Sequence, residues 1–222
     1  MPSNKLPYTT RLATTIGVSL WILALVFAVL PVWPYIYYRL SPNASERLAS
    51  TIAYTVTSKG LPINESSSAV TTPSLSLFTP LPKLDPSLPE KNGLIIYKIG
   101  VKGEINEGSD WQSILKKGIW RVPNFSTPNL TSPNRPVILA AHRWGYIDWS
   151  PAFRKLNSFI NLPQLKVGDK VTIIWEQRQY EYTIYSTVTG THVSDYNANL
   201  ILYTCQLWNS PVRIFIYANR SN

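Results

Sequence analysis

Hydrophobic and polar positions follow three different patterns along the 222 residues of the chain. In the first, no side chain between Arg11 and Arg39 carries a charge, and IGVSLWILALVFAVLPVWPYIYY is almost uninterrupted apolar text. Such a run exceeds the roughly 20 residues that cross the hydrocarbon of a bilayer. Trp33, Tyr35, Tyr37 and Tyr38 gather at its distal edge, where amphipathic rings favour the headgroup level. Lys5 and Arg11 precede it, with Arg39 and Arg47 on the far side, and the leading basic residues predict a cytoplasmic N-terminus. A cleaved secretion signal is the competing reading. It would carry a shorter apolar region, about 7–15 residues, and a small-residue cleavage site, which Asn43-Ala44-Ser45 matches poorly. Residues 1–40 therefore read as a cytoplasmic tail and an uncleaved transmembrane signal-anchor helix.

The second pattern has no period. After SERLASTIAYTV, which continues as a short helix, Ser58 to Lys91 is rich in Ser, Thr and Pro and repeats at neither 2 nor 3.6. Such a segment buries too little apolar surface to offset its ordering entropy. Residues 41–91 are read as an extended linker or stalk.

The third pattern is alternation. GLIIYKIGV, RPVILAAH, KVTIIWEQ, QYEYTIYSTV, ANLILYTC and VRIFIYAN all follow Asn92, and each has the period and the β-branched and aromatic content of a half-buried strand. Two short helices interrupt them. In SDWQSILKKG, Asp110 caps, Ile114 and Leu115 pack and Gly118 ends the helix. In WSPAFRKLNSFI, Ser150 caps with Pro151 at the first helical position, and Phe153, Leu156 and Ile160 share a face. Short strands without a heptad or a long parallel crossover predict an all-β domain over residues 92–222, a closed or nearly closed barrel, since closure removes exposed edges.

Charge and composition narrow the chemistry. The net charge is +9, but Lys and Arg are scattered and not interleaved with aromatics, which argues against a nucleic-acid surface and for a basic exterior facing an anionic membrane or envelope. One cysteine and two histidines exclude a cysteine-rich zinc site, and no glycine-rich phosphate cradle is present. A domain beyond residue 40 lies outside the cytoplasm on this topology, where disulfides are permitted. A single cysteine cannot pair within the chain, and an unpaired thiol in an exported protein points to reactivity.

Cys205 ends ANLILYTC, His142 ends PVILAAH and Arg213 opens VRIFIYAN, so all three stand at strand termini. Alternation places Ile201, Tyr203 and Cys205 on one face, and Arg213, Phe215 and Tyr217 on one face of the next strand. A return of this length fits an antiparallel pair with Cys205 and Arg213 within side-chain reach. A guanidinium beside a thiol favours the nucleophilic thiolate. Each residue alone has a plain alternative: an inert core thiol, a strand-end histidine, a solvated charge. The coincidence of all three argues for function. His192, in TGTHVSDYN, is read as an ordinary loop histidine.

The text around these residues, Ile201-Leu202-Tyr203-Thr204-Cys205, then QLWNSPV, then Arg213, with Val137-Ile138-Leu139-Ala140-Ala141-His142-Arg143 upstream, resembles the sortases, membrane-anchored cysteine transpeptidases of the bacterial cell surface. The family signature is a strand ending TLxTC, a short loop and an arginine that begins the last strand, with the histidine in a vlaGHr context. Phe153 and Leu156 resemble the family's F..L helix, LKVGDKVTI its L..GD.I.v segment and GLIIYKIGV its first strand. Ile201 stands where the first Thr is usual, Ala141 where Gly is usual, and GIWRVPNFSTPNL is only loosely similar to the family's G.gh.p.t..pG.

The resemblance implies a sortase-like β-barrel of about eight strands, preceded by the single transmembrane helix and linker. It implies a chain held in the cell membrane with its catalytic domain outside. Cys205 would attack the carbonyl of an LPxTG-like sorting signal, typically at Thr–Gly, and form a thioacyl enzyme. An amine from a cell-wall precursor or a pilin would resolve it. His142 would serve as acid and base, Arg213 would stabilise the oxyanion, and Thr204 would help to shape the substrate site. Neither metal nor cofactor is expected, because Glu104, Glu107 and Asp195 form no calcium-ligand string. L,D-transpeptidases would require an SxGCxR-like context and papain-like proteases the cysteine before the histidine; neither fits. The rival of another class is a membrane-tethered barrel that binds without catalysis.

Overall fold

The computed structural model describes residues 8–29, 80–130, 135–207 and 211–221. The chain divides into two compact units, Met1–Ala44 and Ser45–Asn222. In the first, the apolar text forms α1, Tyr8–Val29, with Leu20, Trp21 and Phe27 exposed along it. Among the described residues no helix is long and apolar enough to cross a membrane. The remainder of the expected span, its aromatic edge at 33–38, the short helix after Ser45 and most of the expected linker lie outside the described residues.

The second unit is a closed barrel of eight strands in the order β1-β2-β3-β4-β7-β8-β6-β5. The strands are β1 (Gly93–Ile96), β2 (Val101–Asn106), β3 (Ile119–Arg121), β4 (Val137–Ala140), β5 (Lys170–Trp175), β6 (Arg178–Gly190), β7 (Leu200–Cys205) and β8 (Arg213–Arg220). All neighbours are antiparallel except β2 with β3 and β4 with β7. Inward positions build one apolar core from every strand, Leu94, Ile105, Leu139, Ile173, Leu202 and Ile216 among them. Each such side chain taken fully out of water contributes about 1.5–3 kcal/mol.

Local chemistry explains where the elements begin and end. GLIIYKIGV folds as two strands, because a 3₁₀ turn at Tyr97–Ile99 and Gly100 at φ 72° reverse the chain between β1 and β2. The turn between β5 and β6 holds Glu176 and Gln177 at φ 50° and 54°, the left-handed pair that matches the twist of a two-residue hairpin. Helix α2 (Trp111–Lys116) starts where the Asp110 carboxylate accepts from the Ser113 N–H. Helix α3 (Pro151–Asn157) starts where the Ser150 hydroxyl accepts from the Phe153 N–H at 3.1 Å. The expected apolar face of α3 is corrected: the helix ends at Asn157, so the 3.6 period never reaches Ile160, and Leu156 is exposed. Asn157 is the residue of α3 that is buried, and Phe159, just past the helix, enters the core.

Residues 80–91, which the periodless pattern assigns to the linker, lie against one end of the barrel. The Asp85 N–H donates to the Gln177 carbonyl at 2.9 Å, Gln177 Nε2 donates to the Leu88 carbonyl at 3.2 Å, and Arg220 Nη2 donates to the Pro80 carbonyl at 3.2 Å. Gln177 precedes β6 and Arg220 ends β8. Cys205 pairs with Arg213 at the opposite end of β8.

Candidate active site

The β7–β8 ladder terminates at the pair Cys205 and Arg213, and the Gln206 N–H donating to the Val212 carbonyl at 3.0 Å closes it. Leu200 and Leu202 of β7 and Ile214, Ile216 and Ala218 of β8 belong to the core. Their alternates, Ile201, Tyr203 and Cys205 beside Arg213, Phe215 and Tyr217, therefore point to the outer face of the barrel. On the other side of β7, β4 runs parallel with Ala140 opposite Tyr203. β4 ends at that pair, and His142 lies two residues past Ala140 as Cys205 lies two past Tyr203. The Thr204 hydroxyl donates to the Ala141 carbonyl at 2.8 Å and ties the histidine's strand to the cysteine's. Thr204 is fully buried, its hydroxyl occupied by this contact.

The three predicted residues thus come together at one barrel end, and all are buried. Arg213 is 0% exposed, and its Nη1 donates to the Val212 carbonyl at 3.1 Å. Burial pushes the Cys205 thiol up, while Arg213 and then Arg143 pull it back toward the thiolate. Burial pushes His142 down to about 4. The resting pair is therefore thiol and neutral imidazole. His142 Nε2 is buried with no hydrogen-bond partner. The Phe159 N–H donates to the His142 carbonyl at 2.8 Å, which fixes the backbone and leaves the ring to be held by packing.

That packing comes from residues 144–149, to which the sequence pattern assigned no role. Tyr146 meets the His142 ring edge-on at 4.8 Å and Trp149 lies 6.3 Å away. Trp149 is itself anchored, its indole N–H donating to the Lys116 carbonyl at 2.9 Å. Gly145, at φ 75°, lets the turn close on the Trp149 ring, which an added Cβ would meet at 2.1 Å. The sequence signal was the aromatic density of HRWGYIDW directly after the histidine. Two loops border the outer face of β7 and β8. Phe125 stacks on Tyr196 at 6.2 Å, the Ser194 N–H donates to the Tyr217 hydroxyl at 3.0 Å, and Tyr185 donates to Asp195. His192 is exposed in the same β6–β7 loop.

Among the described residues no group of three or more His, Cys, Asp or Glu stands ready to hold a metal. Glu104 pairs with Lys91 at 2.9 Å and Glu107 with Arg121.

The described unit is thus an eight-stranded closed barrel with Cys205 opposite Arg213 across the β7–β8 ladder and His142 two residues past the end of β4. Residues 94–221 match the family described as Sortase domain, and the chain belongs to the sortase family. Similar solved structures include sortase C1 of Streptococcus agalactiae in complex with MTSET, at 20% identity and a TM-score of 0.49, covering 60% of this chain and 70% of that one. Sortase A from Corynebacterium diphtheriae has 18% identity and a TM-score of 0.47, with 60% and 61% of the two chains covered. A Clostridium perfringens sortase D5 transpeptidase has 22% identity and a TM-score of 0.46, with 60% and 79% covered. No curated protein matches the chain.

Proposed function

We propose that this chain is a membrane-anchored cysteine transpeptidase. It cleaves an LPxTG-like sorting signal of secreted surface proteins and passes the acyl group to a cell-wall or pilin amine. The observation that carries this reading is the ladder pair of Cys205 with Arg213, beside a β4–β7 register that ends at Ala140 and Tyr203, two residues before His142 and Cys205. The Cys205 sulfur attacks the scissile carbonyl, the carbon becomes tetrahedral, and the negative charge collects on its oxygen. Arg213 offers that oxygen a planar donor set beneath the outer face. His142 takes the thiol proton, gives it to the departing amine, and later removes one from the incoming amine. Because the thiol is held high and the imidazole low, the charged pair is the minor protonation state of the resting site.

The same burial favours a second reading, a tethered barrel that binds sorting peptides without acylation, since Cys205 is 2% exposed. Incubating the full chain with thiol-reactive LPxTG-like peptide analogues, followed by mass spectrometry, separates the two. An adduct on Cys205, absent from a folded Cys205→Ala chain that also transfers nothing, is the expected result. A folded chain that gives no adduct with any sorting peptide, or a Cys205→Ala chain that still turns over, overturns the proposal.

The uncharged span and its aromatic edge support the remaining parts of the reading. The N-terminus lies in the cytoplasm, residues near 12–38 cross the membrane once, the linker follows, and the barrel works outside.

A further inference from the structure

Arg143 follows the histidine directly, yet its side chain is directed to the cysteine's strand. Its Nη1 donates to the carbonyl of Gln206, the first residue after Cys205. The Gln206 N–H is held by Val212 at 3.0 Å, so both backbone groups of Gln206 are fixed, one by the β8 side and one by the β4 side. The guanidinium lies over the Trp144 ring at 5.0 Å, which holds its plane. Arg143 Nε is buried and makes no hydrogen bond, an unusual cost for a polar group to carry without a function. The same side chain forms part of the wall of a pocket of about 270 Å³ with Pro163, Thr187, Thr189, Gln206 and Ile214. The cation therefore borders solvent on one side and the cysteine's strand end on the other.

We propose that Arg143 is a positioning residue of the site, a second guanidinium that clamps the start of the β7–β8 loop and brings a fixed positive charge to the Cys205 sulfur from the side opposite Arg213. The inference deepens the transpeptidase reading and rests on it for its purpose, but the charge effect on the thiol is independent of any substrate. Among the described residues, Arg213 on β8, Arg143 on the β4–α3 segment and the Tyr203 phenol on β7 interact electrostatically with the sulfur, and His142 directly precedes Arg143. Of these, Arg213 and Arg143 favour the thiolate, Arg213 the more strongly. His142 is neutral at rest, and burial holds Tyr203 protonated.

The full chain in detergent is alkylated with iodoacetamide between pH 5 and 10, and the rate at Cys205 is read by mass spectrometry. Arg143→Gln keeps an amide donor for the Gln206 carbonyl and removes the charge, while Arg143→Lys keeps the charge. Arg143→Met is a second neutral variant, and whichever neutral chain melts as a folded protein serves. The neutral variant is expected to alkylate about tenfold more slowly at pH 7, with its profile displaced to higher pH, on the scale of one opposite charge beside a titrating group. The Lys variant is expected to stay near the parent. Coincident profiles for parent and neutral variant, or a Lys variant as slow as the neutral one, overturn the proposal. The assay contains no sorting peptide, so a failed transpeptidase reading leaves its outcome legible: the charge effect then stands on a thiol that serves another purpose.

Discussion

Arg213 has no exposed surface, which changes what its replacement does. A strand-end charge in water contributes little to folding, and the sequence alone gives no reason to expect more. A guanidinium fully enclosed at the end of β8 is a different object, because a lysine there leaves donors and volume mismatched. Arg213→Lys is therefore expected to lower the melting temperature and, measured well below that temperature, to lower kcat/KM by about 10²–10³, the usual cost of one oxyanion donor. Activity that returns to the parent level once the chain is fully folded would remove Arg213 from that role. His142 sets the acid limit of stability. Its folded value near 4 lies below the ordinary 6.5, so between these values the unfolded chain binds the extra proton. Stability from this group is full above about pH 6.5 and falls as the pH drops toward 4, by about 3 kcal/mol over the window. Urea unfolding at pH 4.5 and 7 checks this, with His142→Gln expected to flatten that part of the profile.

The strand pair β4 and β7 shows what was legible in the text and what was not. LILYTC carries the ending that places Cys205 at a strand terminus, VILA ends two residues before His142, and alternation put Cys205 with Ile201 and Tyr203, and Arg213 with Phe215 and Tyr217, on single faces without saying that those faces point outward. Two features escaped. Every residue of both strands is buried, so the polar half of the alternation is missing and periodicity cannot reveal that loops cover the outer face. The parallel pairing of β4 with β7 joins residues far apart in sequence, and no local pattern encodes it. β3 is three residues long, too short for a period to register, and β1 and β2 read as one strand because Tyr97-Lys98-Ile99 between them carries on the alternation of strand-forming residues. The Thr204 hydroxyl fastens this long-range pair. Thr204→Val keeps the shape and strands the buried Ala141 carbonyl without that donor, at a cost of about 1–3 kcal/mol. Because the carbonyl lies one residue before His142, the acylation rate of Cys205 is expected to fall further than the melting curve explains. An acylation rate that only follows unfolding would make Thr204 a structural bolt.

Residues 80–91 are fastened to the barrel at the end away from the thiol. Pro80, Asp85 and Leu88 are held by Arg220 and Gln177, where β8 finishes, while Cys205 sits where β8 begins. On the proposed anchored reading, the tether would join the barrel at the end opposite Cys205. On that reading the covalent path between anchor and barrel runs through the Ser-, Thr- and Pro-rich text before Pro80, a composition that proteases cut readily. Treating intact, wall-stripped cells with a broad-specificity protease is expected to release a soluble fragment that begins between about residues 58 and 80, keeps the strap bonds and still alkylates at Cys205. A fragment beginning at Gly93 instead would lack the contacts of residues 80–91 and is expected to melt at a lower temperature than one beginning at Pro80. If the barrel resists the protease until the membrane is broken, the outward topology fails. If it is released but the two fragments melt together, the strap contributes nothing, and the Pro80 end of the tether is held only in passing.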